Sequence, residues 1–165
     1  MMDSGDAGFA ALEARVDKLL ANLDAGQRRA LARRVGTDLR RSQIQRVRAQ
    51  LNPDGSPFQP RKPKTEQLRG KKGRIKRKAK RGPMFRKLMA ARRLRLQATA
   101  SGVSLGFADN ATARIARVHQ FGLPDRVNRR PNAPTAQYPA RELLGLTQAD
   151  RAMILDRVLE ALSGM

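Results

Sequence analysis

The sequence predicts an α+β fold in which helices flank a small antiparallel element. Three patterns predict it. Apolar residues recur at three- and four-residue steps through the first fifty residues. They alternate with polar ones between Leu94 and Phe107, and return to helical spacing from Met153 to Leu162. The outer patterns are amphipathic helices, and the middle one is a β-hairpin.

Phe9, Leu12, Val16, Leu19, Leu20 and Leu23 make one face of a first helix, with Asp6 as its N-cap. Asp24 and Gln27 form a capping box for a second helix. Its stripe is Leu31, Val35, Leu39, Ile44, Val47 and Leu51, with Arg and Gln on the other faces. Asn52-Pro53-Asp54-Gly55 ends it in a turn. Both helices are expected to pack a core rather than to read a nucleic-acid groove. Ser56 to Lys64, SPFQPRKPK, is extended because each Pro restricts the residue before it. Pro83 then opens a short helix, PMFRKLMAARR, with Phe85, Leu88 and Met89 as its apolar face.

In the hairpin, Leu94, Leu96, Ala98 and Ala100 alternate with Arg95, Gln97 and Thr99. Ser101-Gly102 turns the chain, and Val103, Leu105 and Phe107 return. Asp109-Asn110 punctuates. Ala111 to Gln120 reads as a helix with Ile115 and Val118 inward. Gly122 to Pro139 holds four prolines and reads as a long loop ending in a strand near Tyr138. Thr147 and Asp150 make a second capping box. The terminal helix carries Met153, Ile154, Leu155, Val158, Leu159 and Leu162 as its apolar face. The 165 residues are therefore expected to form one domain in three parts. These are a helical segment at 6–52, an extended basic arm at 53–83, and a hairpin–helix–loop–helix module at 84–163.

The net charge is +21, and its distribution is uneven. Seventeen Lys or Arg and one acid, Glu66, lie between Gln59 and Arg95, a net +16. The densest part is GKKGRIKRKAKRG, Gly70 to Gly82, with Lys71, Lys72, Arg74, Lys76, Arg77, Lys78, Lys80 and Arg81. Like charges and three glycines predict a mobile arm rather than a packed element. Such a cluster gains phosphate affinity from counterion release. The run has no aromatics to stack on bases, so non-specific nucleic-acid binding through residues 61–95 is one expectation. An arm that grips an acidic protein surface is the other, and the missing stacking residues favour it.

The chain has no cysteine and one histidine, which excludes disulfides, thiolate nucleophiles and a multi-His metal site within one chain. No apolar stretch approaches the roughly 18 residues of a membrane span. The acidic start MMDSGDAGF lacks the pattern of a signal peptide, so a soluble protein made in the cytoplasm is expected. No phosphate loop or nucleophile elbow occurs, and His119 has no nucleophile beside it in VHQFG. The expectation is a protein without catalytic residues, cofactor or metal. His119, Gln120 and Gly122 are expected to end a helix in a turn packed near Arg141. Pro139 holds Tyr138 extended. Arg141 is then placed to form a bidentate pair with a carboxylate of the same subunit or the next. A solvated position at a helix start is the plainer alternative for Arg141.

Five segments in order carry a resemblance: NPDGSPFQPRK, PMFRKL, VSLGF, IARVHQFGL and YPARELLGLTQAD. Together they resemble the phage virion morphogenesis proteins, the tail completion proteins of Mu-like and related contractile-tailed phages. The resemblance covers about residues 5 to 163, and the length and basicity of Gly70 to Gly82 depart from it most. It implies a structural virion protein acting at the head-proximal end of the tail, which it completes and prepares for head joining. It implies a small mainly antiparallel sheet with a long helix packed on it, as in tail-terminator and neck proteins. It also implies a homo-oligomeric, six-fold ring. The implied partners are tube or sheath terminator and neck proteins, with non-specific contact to packaged DNA as a further one. His119, Gln120, Gly122, Tyr138, Pro139 and Arg141 are the assembly candidates. The implied location is the virion, and the host cytoplasm during assembly.

Overall fold

The structure, a computed structural model, describes residues 23–61, 82–128, 130 and 132–163. The first expected helix and the basic residues from Lys71 to Arg81 lie outside the described residues. The described fold is α+β, with three helices and two small antiparallel hairpins.

Helix α1 spans Ala25–Arg48 and starts at the expected capping box. Asp24 Oδ1 accepts from the Gln27 backbone N–H at 2.7 Å, and the Asp24 N–H donates to Gln27 Oε1 at 2.8 Å. Val35, Leu39 and Val47 are buried as expected. The helix stops before Leu51 because Gln50 enters the left-handed region at φ +63°. The Gln50 amide then holds a second chain: Nε2 donates to the Met84 carbonyl at 3.2 Å, and Oε1 accepts from the Met84 N–H at 2.8 Å. Leu51 forms an isolated bridge with Pro57 instead of a last helical turn.

The hairpin has the expected register. β1 (Leu94–Ala98) pairs with β2 (Val103–Phe107), with Leu96 opposite Leu105. Arg95, Gln97, Ser104 and Gly106 face water, while Leu94, Leu96, Val103 and Leu105 turn inward. A two-stranded sheet is marginal alone and needs a covering layer. α1 supplies it, and Gly36 allows the close approach. A Cβ on Gly36 would sit 2.2 Å from Leu96 Cδ1 and 2.5 Å from Val103 Cγ2.

Three expectations fail in detail. Residues 84–93 form consecutive turns, not a helix, because Phe85 has φ +64°. Its carbonyl accepts from both Leu88 and Met89, at 2.8 and 3.1 Å, and Met84, Leu88 and Met89 are still buried. Helix α2 (Asn110–Phe121) buries Thr112, Ala116 and Val118, but leaves Ile115 42% exposed. Asp109 caps α2 through the Thr112 backbone, and the helix packs through the face that carries Thr112, Ala116 and Val118, which leaves Ile115 outside it. The long loop instead contains a second hairpin, β3 (Pro124–Arg126) with β4 (Thr135–Gln137). A strand does approach Tyr138 as expected.

Helix α3 (Gln148–Ser163) starts at the Thr147–Asp150 capping box, with bonds of 2.9 and 3.0 Å. It runs antiparallel to α1: Arg157 reaches Asp38 and Asp150 reaches Gln43. Leu155 and Leu159 of its expected apolar face remain half-exposed. The core joins Val47, Phe58, Met84, Leu88, Met89, Leu94, Ala116 and Leu143. Leu94 and Leu143 are fully buried, and each contributes about 1.5–3 kcal/mol by leaving water. Among the described residues, no helix is long and apolar enough to cross a membrane.

Candidate functional site

The end of α2 gathers the six residues singled out in the sequence. Gly122 closes the helix in the left-handed conformation, φ +63° and ψ 43°, with its N–H on the Val118 carbonyl. The segment Tyr138–Arg141 passes directly over this cap. A Cβ on Gly122 would lie 2.9 Å from the Ala140 nitrogen. The Arg141 N–H donates to the His119 carbonyl at 2.6 Å. Gln137 Nε2 donates to the Gly122 carbonyl. Two residues before Gly122, Gln120 clamps the next part of the same segment. Its Nε2 donates to the Leu144 carbonyl at 2.9 Å, and its Oε1 accepts from the Leu144 N–H at 3.0 Å. His119, Gln120 and Gly122 at the helix end thus hold residues 137–144, through backbone at Arg141 and Leu144 and through the side chain of Gln137. The expected helix end packed near Arg141 is what the structure shows.

Aromatic rings continue the cluster inward. His119 meets Tyr138 with ring centroids 5.2 Å apart, and Phe85 at 4.7 Å. Phe85 in turn meets Phe58 at 6.0 Å, and all three pairs are edge-to-face. Burial lowers the His119 pKa to about 4, and the nearby Arg141 and Arg61 cations add to the effect. Asp125 acts weakly the other way. The ring is therefore neutral at pH 7. Its Nδ1 faces Arg141 Nη1 at 3.2 Å. A guanidinium only donates, so Nδ1 accepts and the ring proton sits on Nε2.

Arg141 is 4% exposed, so it is not a solvated helix-start residue. Its Nε donates to the Gln59 carbonyl at 2.8 Å, and its Nη2 approaches the Pro60 carbonyl at 3.4 Å. The expected carboxylate is not among the described residues that bond to it. Its pKa is lowered by burial and then by Arg61. A cavity of about 450 Å³ opens beside it, with Arg61, Phe85, Val127, Tyr138 and Pro139 in its walls. A second cavity of about 580 Å³ lies on the far side of His119 and Tyr138, lined by Arg114, Ile115 and Asp125. Arg114 pairs with Asp125 at its edge.

A second buried arginine escaped the sequence reading. Arg46 Nη1 donates to the Leu51 and Glu142 carbonyls at 2.9 and 2.7 Å. Its Nη2 donates to Gln43 Oε1 at 2.6 Å and to the Leu143 carbonyl at 3.1 Å. Asp150 and Glu142 lie near enough to favour its charge. The signal was available: Leu39, Gln43 and Arg46 follow helical spacing along the apolar stripe, so these polar residues belong to the buried face. The basic residues Lys71, Lys72, Arg74, Lys76, Arg77, Lys78, Lys80 and Arg81 lie outside the described residues.

Known proteins resemble this chain over nearly its whole length. The phage virion morphogenesis family matches residues 8–163. Tail completion protein S of Escherichia phage P2 is 39% identical over 151 residues, which covers 92% of this chain and 95% of that protein. No solved structure matches. With the match running from ahead of α1 to the end of α3, the chain belongs to the phage virion morphogenesis family.

Proposed function

We propose that this chain is a structural protein that completes the tail of a phage-type particle. The observation that carries this is the match to a tail completion protein across almost the full length of both chains. The site geometry agrees with a structural role. Gln120, Arg141 and the α2 cap spend their polar groups on anchoring backbone.

The finer reading places the protein at the head-proximal end of a contractile tail. There it forms a ring and makes the tail competent for head joining. A ring needs two different patches that meet head to tail. Two apolar patches on different elements support this. Leu155 and Leu159 on α3 are 54% and 51% exposed, and Phe121 at the end of α2 and Val127 beyond it are 66% and 55% exposed. A six-fold ring at the tail end would bring its subunits against terminator and neck proteins, in the virion and in the host cytoplasm during assembly. The segregated basic charge supports an arm for an acidic protein, with packaged DNA as a secondary contact.

Removing the protein from cells that make the particles tests this reading. The expected result is tails and filled heads that stay unjoined until the wild-type chain is restored. Normal yields of joined particles without the protein would refute it.

A further inference from the structure

The two buried arginines differ in one respect that the fold alone does not explain. Arg46 is surrounded by four oxygen acceptors, with Asp150 and Glu142 nearby to balance its charge. Arg141 is buried too, and among the described residues the charge that bears on it is another cation, Arg61. The ion pairs among the described residues involve Arg34, Arg41, Arg114 and Arg157, not Arg141. Its three contacts are two carbonyls and a neutral imidazole nitrogen. A guanidinium has five N–H donors, so donor capacity remains. Burying a charge is costly unless an opposite charge meets it.

The space beside Arg141 has the form of a receptor. The cavity of about 450 Å³ has apolar walls from Phe85, Val127 and Pro139. Arg141 and Arg61 make its cationic end, and Tyr138 and Gln137 also line it. A pocket of this size with few convergent polar groups is typical of a binding site. Two guanidiniums at one end select an anion, and the planar fork of Arg fits a carboxylate. The apolar walls favour a carboxylate flanked by aliphatic groups over a bare phosphate.

We propose that the cavity between Arg61 and Arg141 receives an acidic side chain, flanked by apolar residues, from a partner protein. The tail-assembly reading supplies only the partner's identity, another protein of the particle. The site itself stands on burial, charge and cavity shape. Docking there would neutralise Arg141 and cover Val127, which belongs to one of the two exposed apolar patches. The net charge of +21 makes an acidic partner the complementary one.

His119 is the chain's single histidine, so its imidazole signals report on this site without ambiguity. NMR titration of the full-length protein from pH 3 to 8 is the experiment, free and with acetyl-Leu-Glu-Leu-amide or its glutamine counterpart. The glutamate probe is expected to raise the pH at which His119 titrates by about 1 unit or more, because a carboxylate enters its surroundings. The glutamine probe should leave it unchanged. Arg61→Gln keeps the Arg141 contacts and should weaken the glutamate probe severalfold. Arg141→Gln, if folded, should abolish the response. Equal responses to both probes, or none, would overturn the proposal. So would a fall in the His119 midpoint of the free protein on Glu66→Gln, since the chain's own acid would then be the occupant. Failure here leaves the tail-completion role standing, because that role is read from particle assembly.

Discussion

Replacing Gly122 by alanine puts a methyl group where the backbone of Ala140 already lies. Two costs add. The residue holds φ +63°, a region that costs a non-glycine residue about 1–2 kcal/mol. The new Cβ would also stand 2.9 Å from the Ala140 nitrogen and 3.3 Å from its Cα. Those are backbone atoms, tied down by the Arg141-to-His119 bond of 2.6 Å, so they cannot swing aside. Overpacking of this kind costs about 1–3 kcal/mol. Loss of glycine's freedom in the unfolded chain returns about 0.4–1 kcal/mol. The net expectation is about 1–4.5 kcal/mol of destabilisation. Gly55 is the control: its φ is +85°, but a Cβ there meets nothing within 4 Å. Gly55→Ala should therefore cost only the conformational part, about 1 kcal/mol. Urea unfolding of both variants separates the two costs through the midpoint at unchanged slope. Equal losses for the two substitutions would refute the claim that residues 138–141 are wedged against the helix cap.

The remaining predictions concern charge and caps. His119 binds fewer protons folded than unfolded between its ordinary pKa and about 4, so stability is lost as pH falls through that window. The full shift corresponds to at most about 3 kcal/mol, and solvent reaching the half-buried ring reduces this to the order of 1–2 kcal/mol; denaturation midpoints at pH 7 and pH 4.5 should show the loss, and His119→Gln should flatten it. Arg46→Met should destabilise by about 3–5 kcal/mol, because carbonyls of Leu51, Glu142 and Leu143 lose their donor; calorimetry measures it. Thr147→Ala should cost about 1 kcal/mol by removing the hydroxyl that accepts from the Asp150 N–H, a shift in the same unfolding assay. Deleting Gly70 to Gly82 should leave the circular dichroism spectrum and melting temperature of the rest intact while weakening attachment to tails; an unfolded deletion variant would show that the segment belongs to the core.

Much of this fold was legible because its signals are local. Capping boxes at Asp24 and Thr147 need only residues three apart, and both formed. The hairpin register followed from strict alternation around Ser101-Gly102. The failures came where a distant partner decides. Phe85 takes a positive φ while the amide of Gln50 holds Met84, thirty-four residues away in sequence. No periodicity over 83–93 records that clamp. Ile115 faces outward because α2 packs on the rest of the fold through Thr112, Ala116 and Val118. At the site, the gathering of His119, Gln120, Gly122 and Arg141 was foreseen, but the partners of Arg141 were not. Carbonyl acceptors at Gln59 and Pro60 carry no side-chain signature.

Electron microscopy of particles captured through a tagged copy of this protein tests the central claim most directly. The capture should use nuclease and moderately high salt, so that phosphate contacts do not hold the tag in place. The account predicts tails carrying the tag at one end only, the end that meets the head. Recovery of soluble protein alone, with nucleic acid that dissociates as salt rises and no particles, would contradict it.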